Sequence, residues 1–211
     1  MPSYCVNAFT HSPMFLRALL HVGVKMIMLD NEHVLIPPEE LREALGILDG
    51  KARAVVRPET SSVEMVDKYW AMGARSLLMP KIEDVALLRR IADRVGELAG
   101  DALDDYSLIP LLESRAAMDK VEEVAAIPQI RTINLGPYDL ALEMGVKDYR
   151  GDPAFIGYLE QCVRRIDATG KAAGLYVLPE WMERFRATPL KQFNLGAHEM
   201  IAGFMADHPV G

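Results

Sequence analysis

A closed (β/α)8 TIM barrel in a single domain spanning residues 1–211 is the fold that the sequence predicts. Two observations predict it: short apolar runs alternate with longer amphipathic segments about eight times, and no two consecutive strands are spaced to pair as a hairpin. Alternation of this kind means a parallel sheet, and eight units favour closure over an open doubly wound sheet, the alternative that the pattern leaves. A third feature agrees: charged residues follow directly on several of the apolar runs, at the strand ends where such a barrel carries its chemistry.

Taken in order, residues 3–9 read as a strand and 13–21 as a helix. Residues 25–30 form the second strand. The helix over 38–48 is entered through Pro37-Pro38, with Glu39 and Glu40 in its first turn, where carboxylates suit the helix dipole. Residues 52–58 are a β-branched strand, and 62–72 a helix capped by Ser61 or Ser62 and closed by Gly73. The unit repeats as 76–79 with 83–98, and again as 108–112 with 115–126. Strand 132–135, helix 137–144 and a further helix near 153–169 make the sixth. The seventh is 172–177 with 180–186, and the last is 192–195 with 198–205. At about 26 residues per unit there is little room for insertions, since ~250 residues are typical of this fold.

Composition bounds the function. Half of the residues are hydrophobic and 25% are charged, and the net charge is -7. Such an acidic chain is not built for a nucleic-acid backbone or an anionic membrane surface. The apolar stretch 22–29 is too short to span a bilayer, and the start of the sequence has no signal-peptide pattern. Two distant cysteines, Cys5 and Cys162, give neither a disulfide framework nor a thiol–zinc site. A cytoplasmic protein with a small-molecule substrate is expected.

The strand ends supply a short charged set. Asp30-Asn31-Glu32-His33 follows the second strand, Arg57 the third, Pro80-Lys81 the fourth, Glu113 the fifth and Gly136-Pro137-Tyr138-Asp139 the sixth. Glu113 and Asp139 come from adjacent strands, so their carboxylates can converge. Two converging carboxylates stay ionised together only with a cation between them, a Mg²⁺ or Mn²⁺ style of site; the alternative is that each pairs with a neighbouring Arg or Lys at the rim. Arg57 is suited to clamp a substrate carboxylate, or else forms a structural ion pair with Asp30 or Glu32. His33 is a candidate general acid or base because imidazole both takes and gives a proton, or else it is a solvated loop residue. The turn at Gly136-Pro137 can present backbone N–H groups, other than that of the proline, to an anion, although the dipeptide also marks any tight turn. His11, His21, His198 and His208 show no ligand spacing, and His11 is expected to stay out of the mouth.

Leu29-Asp30-Asn31-Glu32-His33, Val56-Arg57-Pro58, Gly73-Ala74-Arg75-Ser76-Leu77-Leu78-Met79-Pro80, Leu112-Glu113-Ser114-Arg115 and Leu135-Gly136-Pro137-Tyr138-Asp139-Leu140-Ala141 occur in this order with suitable gaps. In these motifs the chain resembles the HpcH/HpaI aldolase and citrate lyase β-subunit family of the phosphoenolpyruvate/pyruvate barrel superfamily, over about residues 4–174. The resemblance implies metal-dependent, class II aldolase chemistry on a 2-oxo acid. It implies that Glu113 and Asp139 hold Mg²⁺ or Mn²⁺, that Arg57 binds the carboxylate of pyruvate, that backbone amides near Gly136, Pro137 and Asp139 help to position it, and that His33 is the acid/base group. It also implies a homo-oligomer that exchanges its last helix between subunits, for which the apolar residues Met200, Ile201, Phe204 and Met205 are suited.

Three departures stand out. The resemblance expects an aspartate partner for the histidine at position 71 and a glutamine at position 111, where this chain has Ala71 and Leu111. The loop between the fourth and fifth strands is cut to 96–106, and Pro80-Lys81-Ile82-Glu83 looks like the citrate lyase side of the family. These changes leave the metal and the enolate chemistry and touch the proton-transfer step, part of which Asp30 or Glu32 can take over. Cleavage or formation of a C–C bond beside a pyruvate-type enolate is the leading expectation. Oxaloacetate decarboxylation, lysis of an acyl-CoA and a degenerate, non-catalytic barrel are the alternatives; the CoA reading has no basic track beyond Lys81, Arg89 and Arg90.

Overall fold

The structure, a computed structural model, describes residues 2–207 apart from the side chains of Asp104, Phe204, Ala206 and Asp207. Eight strands close into a parallel barrel in sequence order: β1 (Ser3–Asn7), β2 (Met26–Asp30), β3 (Arg53–Arg57), β4 (Ser76–Met79), β5 (Ser107–Leu112), β6 (Thr132–Leu135), β7 (Ala172–Tyr176) and β8 (Gln192–Gly196). The seam between β1 and β8 runs in register from Ser3 opposite Gln192 to Asn7 opposite Gly196. Around them lie α1 (Pro13–His21), α2 (Pro38–Leu48), α3 (Val63–Ala71), α4 (Val85–Ala99), α5 (Arg115–Asp119), α6 (Val121–Ala125), α7 (Pro137–Glu143), α8 (Pro153–Ala168), α9 (Met182–Arg186) and α10 (Ala197–Asp207).

Local chemistry sets most of these boundaries. In α4 the Asp84 side chain caps the first turn, accepting from the backbone N–H groups of Ala86 and Leu87, and Gly100 ends the helix at φ 52°. Between them Leu88, Ile91, Ala92 and Val95 follow helical spacing and are all buried. The structure departs from the sequence expectation in three places. β1 stops at Asn7 instead of 9, because Phe9 turns to φ 51°, outside the extended region. The single helix expected over 115–126 divides into α5 and α6 at Lys120, whose φ/ψ of -100°/13° is not helical. The segment 180–186 opens as a 3-10 turn, Pro179–Trp181, before α9 begins. Residues 208–211 of the expected C-terminal segment, with His208, lie outside the described residues.

Strand alternation sorts the core into two layers. Val6, Ile27, Leu29, Val56, Leu77, Met79, Leu112, Ile133, Leu175 and Phe193 are buried at one parity, most of them packing in the large outer cluster with the helices. The inward set divides: Cys5, Met28, Val55, Leu78, Ile109 and Leu111 make an apolar cluster on β1 to β5, whereas β6 and β8 contribute Asn134, Gln192 and Asn194, all buried. The barrel interior is therefore apolar on the β2–β5 side and amide-lined at β6 and β8. Both cysteines are buried and free. Among the described residues no helix is long and apolar enough to cross a membrane.

Candidate active site at the barrel mouth

A cavity of about 360 Å³ opens at the C-terminal ends of the strands, lined among others by His33, Arg57, Glu113, Gly136, Pro137 and Asp139. All six residues expected from the sequence meet there.

Glu113 follows β5 and is buried. Its Oε2 accepts from the backbone N–H of Lys81 at 2.9 Å, and Lys81 adopts φ 52° at that point. A lysine gains nothing from the left-handed region by itself, so the strained backbone is held by its surroundings. On the other side Gly136 lets the carboxylate in. A Cβ there would lie 2.6 Å from Glu113 Cγ and 2.8 Å from Oε1. Asp139 sits in the first turn of α7, where the helix dipole favours a negative charge. Burial, then the neighbouring charges of Asp139 and Glu32, push the Glu113 carboxyl up to about 7. Among the described residues no Lys, Arg or His lies within 4.0 Å of either carboxylate. The alternative in which each is paired off at the rim is not what forms. A buried carboxylate with a second one acting on it, neither in an ion pair among the described residues, beside an open cavity suits a hard divalent cation that keeps open positions for water and substrate.

Arg57, by contrast, is engaged. Its Nε donates to Asp30 Oδ1 at 2.9 Å and its Nη2 to Asp30 Oδ2, while Nη1 is 3.1 Å from Glu32 Oε2. Lys81 Nζ closes on the other oxygen of Glu32 at 2.9 Å. Asp30, Glu32 and His33 bring their ligand atoms within 4.8 Å of one another, but two cations already balance the two carboxylates, so this group is a closed ion network and a poor metal site. Burial alone would raise the Asp30 carboxyl; the hydrogen bonds and charge of Arg57, with His33, hold it below the ordinary carboxylate range.

The loop after β2 owes its shape to side chains. Asp30 Oδ1 accepts from the backbone N–H groups of Glu32 and His33 at 3.0 and 3.3 Å, an Asx-type turn. Asn31 Oδ1 accepts from Ile36 N–H at 2.6 Å, and its amide donates to the Tyr69 hydroxyl. His33 emerges with 59% of its side chain exposed. Its Nδ1 lies 3.2 Å from Asp30 Oδ2 and 2.7 Å from Arg57 Nη2. The carboxylate suits a ring with Nδ1–H, and the guanidinium, having only donors, suits a bare Nδ1.

The departures at 71 and 111 take on a definite meaning. Ala71 ends α3, which leads from the mouth end of β3 back to the start of β4. Position 71 is therefore at the foot of the barrel, and no residue there reaches His33 within one chain; Asp30 is its carboxylate partner instead. The shortened 96–106 segment, which forms the turn Gly100–Asp105 before β5, is at the foot as well. Leu111 does line the cavity, and its register partner on β6 is Asn134, which lines it too. His11 stays out of the cavity and pairs with Glu40.

Sequence reasoning missed the far wall. Asn7, Phe9, Asn134, Tyr149, Tyr176, Asn194, His198 and Glu199 also line the cavity. His198 packs edge-on against Phe9 at 4.9 Å. Glu199 is held by Arg150, which also pairs with Glu180 at 2.9 Å.

Residues 7–199 match the model of the HpcH/HpaI aldolase/citrate lyase family. The chain belongs to that family. By membership it is an aldolase-type carbon–carbon lyase. It is 26% identical over 204 residues to a 2-keto-3-deoxy-L-rhamnonate aldolase of Klebsiella pneumoniae, covering 85% of this chain and 76% of that one. Among solved structures it is similar to an HpcH/HpaI aldolase/citrate lyase family protein from Burkholderia cenocepacia, with a TM-score of 0.85 at 19% identity over 98% and 92% of the two chains. It is also similar to the citrate synthase SbnG, with a TM-score of 0.83 at 18% identity over 98% and 91%. At these identities the structural matches establish the barrel and nothing finer.

Proposed function

We propose that this enzyme makes or breaks a C–C bond next to a pyruvate-type enolate of a 2-oxo acid, with Mg²⁺ or Mn²⁺ held by Glu113 and Asp139. The observation that carries this reading is the buried Glu113 carboxyl at the cavity, raised to about 7 by burial and by the neighbouring charge of Asp139, with no Lys, Arg or His within 4.0 Å of it among the described residues. Bound there, the metal supplies Lewis-acid stabilisation of the negative charge that develops on the 2-oxo oxygen.

The chain's own groups do the rest. Gly136 gives Glu113 its room, and Lys81 N–H fixes its second oxygen. Gly136, Pro137 and Asp139 form the corner against which the carboxylate end of the substrate rests; the Gly136 N–H is given to Leu112 O at 3.0 Å and Pro137 has none, so the donors of this corner are the first-turn N–H groups of α7, Asp139 among them. Arg57 puts a positive charge on the opposite wall; because its fork is bound to Asp30, a substrate carboxylate competes with Glu32 for Nη1. With Nδ1–H given to Asp30, His33 Nε2 is bare and accepts the proton of the 4-hydroxyl group in cleavage, returning it in condensation. The exposed ring then exchanges that proton with solvent.

The test is exchange of the pyruvate C3 protons in D₂O, followed by NMR, with Mn²⁺ and then with EDTA. Metal-dependent exchange that Glu113→Gln abolishes supports the reading. Exchange that is unchanged by EDTA or by the substitution overturns it. Oxaloacetate decarboxylation, which makes the enolate without a base, separates loss of the enolate site from loss of proton transfer at His33.

The exposed apolar residues Met200, Ile201 and Met205 of α10 support a homo-oligomer in which this helix is covered by a second copy. Sedimentation velocity checks it: a monomer at micromolar concentration sinks the idea.

A further inference from the structure

Three tyrosines line the cavity. Tyr138 stands on α7 with 63% of its surface exposed. Tyr149, in the segment that follows, meets Tyr138 and Trp181 edge-on. Tyr176 differs from both, because it ends a barrel strand. It keeps the parity of Gly174, whose register partner is Asn134, and Leu175 pairs with Leu135, so Tyr176 comes next to Gly136 at the mouth.

The Tyr176 hydroxyl occupies room that a glycine leaves. A Cβ at Gly196, the last residue of β8, would lie 2.1 Å from Tyr176 Oη, with the His198 ring next at 3.0 Å. Gly196 has no positive φ that would call for glycine. The clash is with the oxygen and not with the ring, so what the glycine accommodates is the hydroxyl that separates tyrosine from phenylalanine. No side chain among the described residues accepts the phenol proton, and the oxygen is not walled off from the cavity. Burial, then the charge of Glu199, push the phenol up to about 12, with Arg150 and the Gly196 N–H acting the other way. At neutral pH it is therefore an uncharged donor.

The wall around it holds no Lys or Arg. Arg57 is the one such residue among those described that line the cavity, and it stands on β3, across the barrel from β7. A fixed neutral donor suits an oxygen that is uncharged in the ground state and gains charge during reaction. The oxygens of pyruvate are met by the metal and the first turn of α7, which leaves the carbonyl oxygen of the electrophile.

We propose that Tyr176 is a further catalytic residue, whose O–H donates to the carbonyl oxygen of the electrophile and stabilises the charge that this oxygen acquires. In condensation C3 of the enolate bonds to the aldehyde carbon, the C=O π pair moves onto the oxygen, and His33 delivers the proton; cleavage reverses each step. Tyr176 stays protonated throughout. The inference rests on the 2-oxo acid reading above and assigns a residue to the second half of that reaction.

The experiment compares two reactions of the Mn²⁺-loaded wild type, Tyr176→Phe and Gly196→Ala by NMR. One is exchange of the pyruvate C3 protons in D₂O, which needs no electrophile; the other is addition of pyruvate to acetaldehyde, glycolaldehyde or glyoxylate. Tyr176→Phe is expected to keep exchange within about twofold and to lose about a hundredfold in kcat of addition, the usual cost of one such donor. Gly196→Ala, which displaces the hydroxyl without removing it, is expected to lose addition as well. Urea unfolding is a third readout: Tyr176→Phe is expected to match the wild type, because no side chain depends on the hydroxyl. Unchanged addition in Tyr176→Phe overturns the proposal. Equal losses of exchange and addition overturn it too, since the phenol then acts on pyruvate, and so does a loss of addition that follows a loss of urea stability. A wild type that exchanges pyruvate but adds it to none of the three aldehydes overturns the inference alone. A wild type that does neither overturns the 2-oxo acid reading, and this inference with it.

Discussion

Gly136 and Glu113 occupy one space: the closest approach of a Cβ at 136 to the glutamate would be 2.6 Å, to Cγ. Neither residue is free to be something else while the other points into the cavity. Gly136→Ala is expected to push the carboxylate off the Lys81 N–H and away from Asp139. The overpacking costs about 1–3 kcal/mol of stability, and Mn²⁺ affinity falls by about tenfold or more. Calorimetric Mn²⁺ titration beside urea unfolding checks this. Unchanged affinity in a folded variant would mean that the glutamate position is not what holds the metal.

The Glu113 carboxyl also predicts how the metal-free protein responds to pH. Its folded-state value, about 7, lies above the ordinary 4.5, so the folded chain binds this proton more tightly than the unfolded one. Stability therefore falls as pH rises from about 4.5 to 7 and stays lower above it. At ~1.4 kcal/mol per pH unit the effect is on the order of 3 kcal/mol. Glu113→Gln is expected to lack this decline and to be the more stable protein at pH 8 without metal, while excess Mn²⁺ closes the gap for the wild type. Thermal melts at pH 5 and pH 8 in EDTA measure it, and parallel curves for the two proteins would contradict it.

The charged rim of the cavity was legible because charges that follow apolar strands are conspicuous. Glu113, Asp139, Arg57 and His33 could be read off the ends of β5, β6, β3 and β2, and register then brought them together. The choice between clamp and ion pair for Arg57 could not be read, since it depends on the fork geometry of Asp30 across the sheet. The amide floor left a fainter signal. Parallel strands are apolar on both faces, so the buried Asn134 inside Thr132–Leu135 and the buried Gln192 and Asn194 of Gln192–Gly196 were the visible anomaly. His198 and Glu199 gave no local sign, because only closure of β8 onto β1 carries α10 to the mouth. The break at Lys120 was also hidden, with neither Gly nor Pro to mark it.

Asp30 is the keystone of the ion network beside the site. Its carboxylate is fully buried and binds Arg57 through both oxygens. Asp30→Asn leaves a largely buried guanidinium with Glu32 alone, and removal of one partner from a buried pair costs about 3–5 kcal/mol. Because the folded-state pKa of Asp30 is depressed, its contribution is present above the ordinary 3.8 and is lost as pH falls through the lower folded value. The wild type is therefore expected to exceed the variant in urea stability at pH 7, with the difference shrinking at pH 3. A constant difference across that range would show that charge is not its source.

Lys81 separates backbone from side chain. Its N–H holds Glu113 while φ is 52°, and its ammonium reaches Glu32 from a side chain that is 70% exposed. Exposed ion pairs contribute ~0–1 kcal/mol, whereas a β-branched residue in the left-handed region costs on the order of 1–3 kcal/mol. Lys81→Gly is thus expected to match the wild type within about 1 kcal/mol and to keep Mn²⁺ affinity, because glycine adopts this φ freely. Lys81→Val is expected to lose both stability and metal affinity, since relaxing its backbone withdraws the N–H from Glu113. Urea unfolding and Mn²⁺ titration of the two variants decide it. Equal losses in both would move the role from the backbone N–H to the ammonium group.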